Sequence, residues 1–228
     1  MSFDFLTPTP KADLPARGPL LDAAATAGVV CEVRGGWEVI SSFGDPAAEA
    51  AACAETVGFA DLSHLTKLEL QSSGVPTLAA GLGMEVGTAR RLDQGWLCVE
   101  APTLALAIGA DQAAVAGLGA PGRVTDLTGA LGAVAIAGPL ARETVARFCA
   151  LDLRERSLPI GEFRPVSVAR TPGFVLREGQ ERFLVLFGAA LGEYLWTVLA
   201  DAAGRLGGRP VGQSALPAID RERVTSDA

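Results

Sequence analysis

The sequence predicts an α+β protein made of antiparallel sheets with helices packed on them, arranged as two successive units. Two observations carry this. Alternating apolar and polar stretches recur in pairs around glycine turns, as in residues 29–44, where Gly35-Gly36 divides two strands. Between such pairs lie helices marked by a capping side chain and an early proline, as at Asp45-Pro46.

Taken in order, residues 1–18 read as a flexible N-terminal arm, because Pro8, Pro10 and Pro15 interrupt regular structure. The first unit covers residues 19–121. It opens with a short helix ending at Gly28, followed by the strand pair over 29–44 and the Asp45-capped helix "DPAAEAAACAETVG". In "TKLELQ" the apolar Leu68 and Leu70 alternate with Lys67, Glu69 and Gln71, the pattern of a half-buried strand. A short helix over 74–83, paired strands around Ala101-Pro102 and a helix over 110–119 complete the unit. The second unit covers 122–216. It supplies two strands, a helix opened by Pro139, and three strands parted at Thr171-Pro172-Gly173 and Glu178-Gly179-Gln180. An amphipathic helix with Leu191, Leu195 and Val198 or Leu199 on one face follows; the stretch from residue 207 is expected to turn back and fray, with 217–228 as the C-terminal tail.

Composition narrows the function. The 228 residues are 49% hydrophobic, 20% charged and only 6% aromatic, so burial rests on aliphatic packing. The net charge is −7 and the sequence pI about 4.8, with basic residues scattered, which argues against a nucleic-acid partner. No stretch has the length and apolarity of a membrane span. Cys31, Cys53, Cys98 and Cys149 show no paired short spacing and no secretory leader precedes them, so the expectation is a cytoplasmic protein with reduced, buried thiols.

The one histidine, His64, stands in Asp61-Leu62-Ser63-His64. Neighbours entering a strand point to opposite faces, so Ser63 and His64 do not form a nucleophile–base pair, and the imidazole reads as a locally hydrogen-bonded group. With no second histidine and no cysteine pair, no metal site is expected. The glycines of "GLGMEVG" and "GLGAPG" lack the full context of a dinucleotide loop. Glu178 and Glu181 read as solvated hairpin carboxylates, and Arg154 and Arg156 as solvated cations. Trp37, Trp96 and Trp196 read as packing residues.

Four blocks together resemble the glycine-cleavage T-protein (aminomethyltransferase) family of folate-binding proteins. They are "GGWEVISSFGDPAAEAAACAETVGFADLSHLTKLEL", "LGAVAIAGPLARETVARFCALDL", "EGQERFLVLFGAALGEYLWTVL" and "PVGQSALPAIDRE", in the family's order. The resemblance implies a two-part folate-binding fold in which Leu65, after the histidine, faces the pterin, and Gln180 replaces the glutamate that holds it. It also exposes departures. The family's Asp-Asp carboxylate is missing from "VGTARRLDQGWLCVEAP", pocket tyrosines are lacking, and the C-terminal β-barrel is not expected in so short a chain. No catalytic residue is therefore assigned. This short form is similar to the gamma subunit of heterotetrameric sarcosine oxidase. That similarity implies a non-catalytic partner of larger flavoprotein subunits, with tetrahydrofolate binding weak or lost. The alternative is a small tetrahydrofolate-dependent aminomethyltransferase-like enzyme using Asp93 or Glu100. Residues 122–216 are expected to dock against another chain, with Trp196, Phe187 and Leu195 either anchoring that contact or filling the unit's own core.

Overall fold

The structure, a computed structural model, describes residues 14–25, 28–72, 77–118 and 122–218. The chain begins with β1 (Ala16–Arg17), α1 (Leu21–Ala24), β2 (Val30–Arg34), β3 (Trp37–Ser42), α2 (Pro46–Glu55) and β4 (Gly58–Asp61). It continues with β5 (Lys67–Gln71), α3 (Leu78–Leu82), β6 (Ala89–Arg91), β7 (Trp96–Ala101), β8 (Leu104–Ile108), α4 (Gln112–Gly117) and β9 (Arg123–Asp126). The remainder is β10 (Leu131–Ala137), α5 (Ala141–Ala146), β11 (Phe163–Val168), β12 (Thr171–Gly179), β13 (Arg182–Gly188), α6 (Gly192–Gly204) and β14 (Arg209–Pro210).

Alternation along the strands sets the layering. In β10, Val134 and Ile136 point to one side, where they join α1, α5 and α6 in a core with Phe59, Phe183, Phe187 and Leu195. Ala133 and Ala135 point to the other side, into a layer shared with Trp96, Cys98, Leu106 and Ile108 of the second sheet. That second sheet, ordered β6-β7-β8-β5-β9, buries its far face against α3 and α4 through Leu68, Leu70, Leu97 and Val99. The first sheet runs β11-β12-β13-β10-β4-β14. The fold is thus α+β, with two largely antiparallel sheets face to face and helices outside both. Two pairings are parallel, β1 with β3 and β14 with β4.

Each sheet takes one strand from the other side of position 122. β4 pairs with β10 in the six-stranded sheet, and β9 pairs with β5 in the five-stranded one. The seam between sheets is also bonded, with Ala89 N donating to Gly161 O and Phe163 N to Gly87 O.

Several expectations change. Within the N-terminal arm, Ala16 and Arg17 form a strand held by Arg17 to Glu38 at 3.2 Å, while residues 1–13 lie outside the described residues. The turn between β11 and β12 falls at Ala169-Arg170, both at positive φ, and Pro172 and Gly173 lie inside β12. Pro172 is tolerated there because pairing with β13 starts only at Gly173. Cys31 is exposed, whereas Cys53, Cys98 and Cys149 are buried and all four are free. Phe187, Leu195 and Trp196 are buried, with Trp196 edge-on to Phe59 and stacked with Phe43, so they fill the core and cannot anchor an external contact.

The largest correction is at the end of the chain. Instead of fraying from residue 207, it adds β14 to β4, buries Val211 and packs a short 3-10 turn (Gln213–Ala215); residues 219–228 lie outside the described residues. Glu49 holds it there. This α2 carboxylate, 1% exposed, accepts from Ser42 Oγ, Phe43 N and Gly212 N, each at 2.7 Å. Gly212 must be glycine, since an added Cβ would stand 2.0 Å from Ser41 O. Truncating Glu49 strands the buried Gly212 N–H, at about 1–3 kcal/mol, and the part-buried Phe43 N–H, at about 1 kcal/mol. Glu49→Ala is therefore expected to lower stability by about 2–4 kcal/mol in urea unfolding and to open cleavage near residues 208–216 to limited proteolysis.

Candidate functional site

The segment between β4 and β5 reverses the chain through Leu62, Ser63, His64 and Leu65. Asp61 Oδ1 accepts from Ser63 N at 2.8 Å, closing an Asx turn. Ser63 Oγ accepts Ala133 N at 3.1 Å and donates to Ala133 O at 3.4 Å. The hydroxyl is buried and committed to the backbone of β10, so no serine nucleophile is presented.

His64 has a partner, but not a local one. Gln213 Nε2 lies 3.0 Å from His64 Nδ1 and donates to Asp61 O at 2.9 Å, while Arg34 donates to Gln213 Oε1 at 3.0 Å. An amide nitrogen only donates, so Nδ1 is the acceptor and the imidazole is neutral. Burial, with Lys67 and Arg34 nearby, pushes its pKa down to about 4.

Lys67 departs from its expected solvated side. It is fully buried because the polar face of β5 turns toward the other sheet; its Nζ donates to Ser63 O at 2.6 Å. Burial lowers the pKa to about 8, against the pull of Asp61 and Asp126. Asp61 is raised by its own burial.

Leu65 is half-buried and packs on the layer between the sheets, above the close approach of Gly95 to Gly109. Gln180 is exposed at the tip of the β12–β13 hairpin. Leu62 bonds β10 at Ala133, whereas Arg182 pairs with Ala137, so the two expected cofactor positions lie toward opposite ends of a strand stretch of about 13 Å. The structure does not bring them against one another.

Beside Gln180 stands the group that sequence reading missed. Glu178 is buried, with Oε1 accepting Trp96 Nε1 at 2.9 Å and Oε2 pairing with Arg182 at 2.9 Å. Arg182 extends this to Pro217 O at 2.5 Å, and Arg91 lies over the Trp96 ring at 5.0 Å. The chain therefore crosslinks its sheets and C-terminal stretch through one carboxylate. The signal was faint: only the buried indole, whose N–H needs an acceptor, implies a nearby acid.

The other acids are no better placed for transfer chemistry. Asp93 is exposed in the β6–β7 turn. Glu100 is half-buried, its carboxyl raised by burial and by Glu69 two strands away on the same face. Among the described residues no cluster of His, Cys, Asp and Glu could hold a metal ion, and no helix is long and apolar enough to cross a membrane.

Two outcomes follow. Unfolded His64 takes up a proton near its ordinary pKa and the folded residue only near 4, so the unfolded state binds more protons between them. Stability is expected to fall as pH drops from about 6.5 to about 4, and His64→Gln to flatten that slope in denaturant midpoints. Glu178→Gln keeps an acceptor for Trp96 but leaves the part-buried Arg182 without its counter-charge, with only Pro217 O still accepting from it, costing about 1–3 kcal/mol. Glu178→Ala is expected also to shift Trp fluorescence, a change that Glu178→Gln lacks.

No family model and no curated protein matches the sequence. Solved structures do. The chain is similar to a chain of the heterotetrameric sarcosine oxidase from Corynebacterium sp. U-96 in complex with pyrrole 2-carboxylate. That match has 24% identity and a TM-score of 0.59, covering 72% of this chain and 94% of that one. It is also similar to the glycine cleavage system aminomethyltransferase T from Bartonella henselae, with 19% identity and a TM-score of 0.67, covering 87% of this chain. It spans 60% of that aminomethyltransferase's length. The protein thus has the α+β fold of the aminomethyltransferase T-protein and of a sarcosine oxidase chain, the fold that its four sequence blocks resemble.

Proposed function

We propose that this chain is a non-catalytic, gamma-like subunit of a cytoplasmic, sarcosine oxidase-like assembly, in which larger flavoprotein subunits carry the chemistry. One observation carries the reading: 94% of a chain of a heterotetrameric sarcosine oxidase is matched by this one, at 24% identity. The state of the site supports it. Glu178 is consumed by Trp96 and Arg182, His64 by Gln213, Ser63 by β10 and Lys67 by Ser63. A general acid or base contributes about 10²–10⁴ in rate only when it reaches substrate, and these groups face one another.

Tetrahydrofolate binding is weak or lost on this reading. Leu65 offers one apolar contact, while Gln180 replaces a charged acceptor whose hydrogen bond contributes about 1.5–3 kcal/mol. Calorimetric titration of the wild type with tetrahydrofolate is expected to show no micromolar binding, and Gln180→Glu to tighten any residual affinity by about tenfold or more. Micromolar binding abolished by Gln180→Ala would instead support the aminomethyltransferase-like alternative. Purification of tagged protein from its own cells is expected to recover flavin-absorbing larger chains in fixed ratio. Recovery as a lone monomer at physiological concentration would overturn the subunit assignment.

A further inference from the structure

The two-residue turn between β11 and β12 is conformationally costly. Ala169 and Arg170 hold φ of 47° and 67°, an arrangement usually filled by Asn-Gly. The surroundings enforce it: Ala169 N donates to Phe148 O at 2.8 Å, and the hydroxyl of Tyr194 donates to Ala169 O at 3.1 Å. Backbone strain kept in place by neighbours points to a use for the residue that bears it.

The turn forms one wall of an open cleft of about 510 Å³, within the range of small-molecule sites. Arg170 and Arg147, the latter at the end of α5, both line it, as does Tyr194 of α6. Neither arginine has an ion-pair partner among the described residues; the nearby Asp201 is already engaged by Arg205 at 2.9 Å. Cys149, also in the lining, is kept as a neutral thiol by burial, so it adds no negative charge. Tyr194 is 46% exposed, so its ring remains accessible although its hydroxyl is bonded.

We propose that this cleft binds a small aromatic oxyanion, a carboxylate or phosphate, with its charge held by Arg147 and Arg170 and its ring laid on Tyr194. Guanidinium groups suit planar, charge-assisted recognition of such anions, and two of them outside any ion pair among the described residues supply the attraction, with Asp201 a carboxylate that feels Arg147. The strained turn presents Arg170 at a position that a relaxed glycine turn would leave without a cation.

The test uses the full chain, phenyl phosphate as the aromatic probe and inorganic phosphate as the reference. Calorimetry is expected to give phenyl phosphate a dissociation constant below about 1 mM, tighter than inorganic phosphate. Arg170→Gly is expected to weaken binding about tenfold while raising Tm by about 2–4 °C, since glycine relaxes the turn. Arg147→Gln, on an exposed helix end, is expected to weaken binding similarly with Tm unchanged. Affinity for phenyl phosphate no greater than for inorganic phosphate, or unchanged in both variants, would overturn the assignment.

Discussion

A buried carboxylate on α2 fixes where the polypeptide ends up. Glu49 gathers donors from the end of β3 and from Gly212, 163 residues further on. An acid removed from water keeps its charge only with several strong donors, so those groups have one arrangement that satisfies it. Because Gly212 is pinned, Gln213 arrives beside Asp61 and His64 and takes Arg34 as well. The three-stranded sheet β1-β3-β2, the β4–β5 turn and the C-terminal stretch are therefore positioned by one set of hydrogen bonds. Most of the polar detail of the candidate site depends on it.

Much of the fold was legible because its signals are local. Gly35-Gly36, the Asp45 cap and the turn at Ala101-Pro102 each name their structure within a few residues, and the structure follows them. Alternation placed Leu68 and Leu70 together on one face of β5. Period two says which residues share a face; it does not say whether the opposite face meets water. For β5 that face meets another sheet, so Lys67 is buried where a solvated lysine was expected. Glu178 was misread for the same reason. The hairpin rule misplaced the β11–β12 turn because Pro172 and Gly173 imitate a turn while Ala169 and Arg170 make one.

The candidate site was legible in part. Leu65 does lie against an apolar layer, and His64 is a hydrogen-bonded neutral imidazole, but its partner lies 149 residues away and has no local signature. Glu178, Trp96 and Arg182 were invisible because their meeting needs the sheets stacked. That constellation is also the clearest contrast with a working acid–base site. Its carboxylate is oriented by a tryptophan and an arginine, and both of its oxygens are occupied. The chemistry available there is structural, joining the layers at the point where apolar packing alone would leave them free to slide.

The exchange of strands between the sheets bears on how the protein is made. A ribosome delivers β4 early, yet its neighbours are β10, more than 70 residues later, and β14, about 150 residues later. β5 likewise waits for β9. β4 and β5 each present an unfilled strand edge until those partners emerge, an interval in which another nascent chain can occupy it. Such long-range pairing slows folding by deferring the contacts that compensate loop closure. The charges on β4 and β5, Asp61, Lys67 and Glu69, then act as guards against association while the chain waits for its own partners.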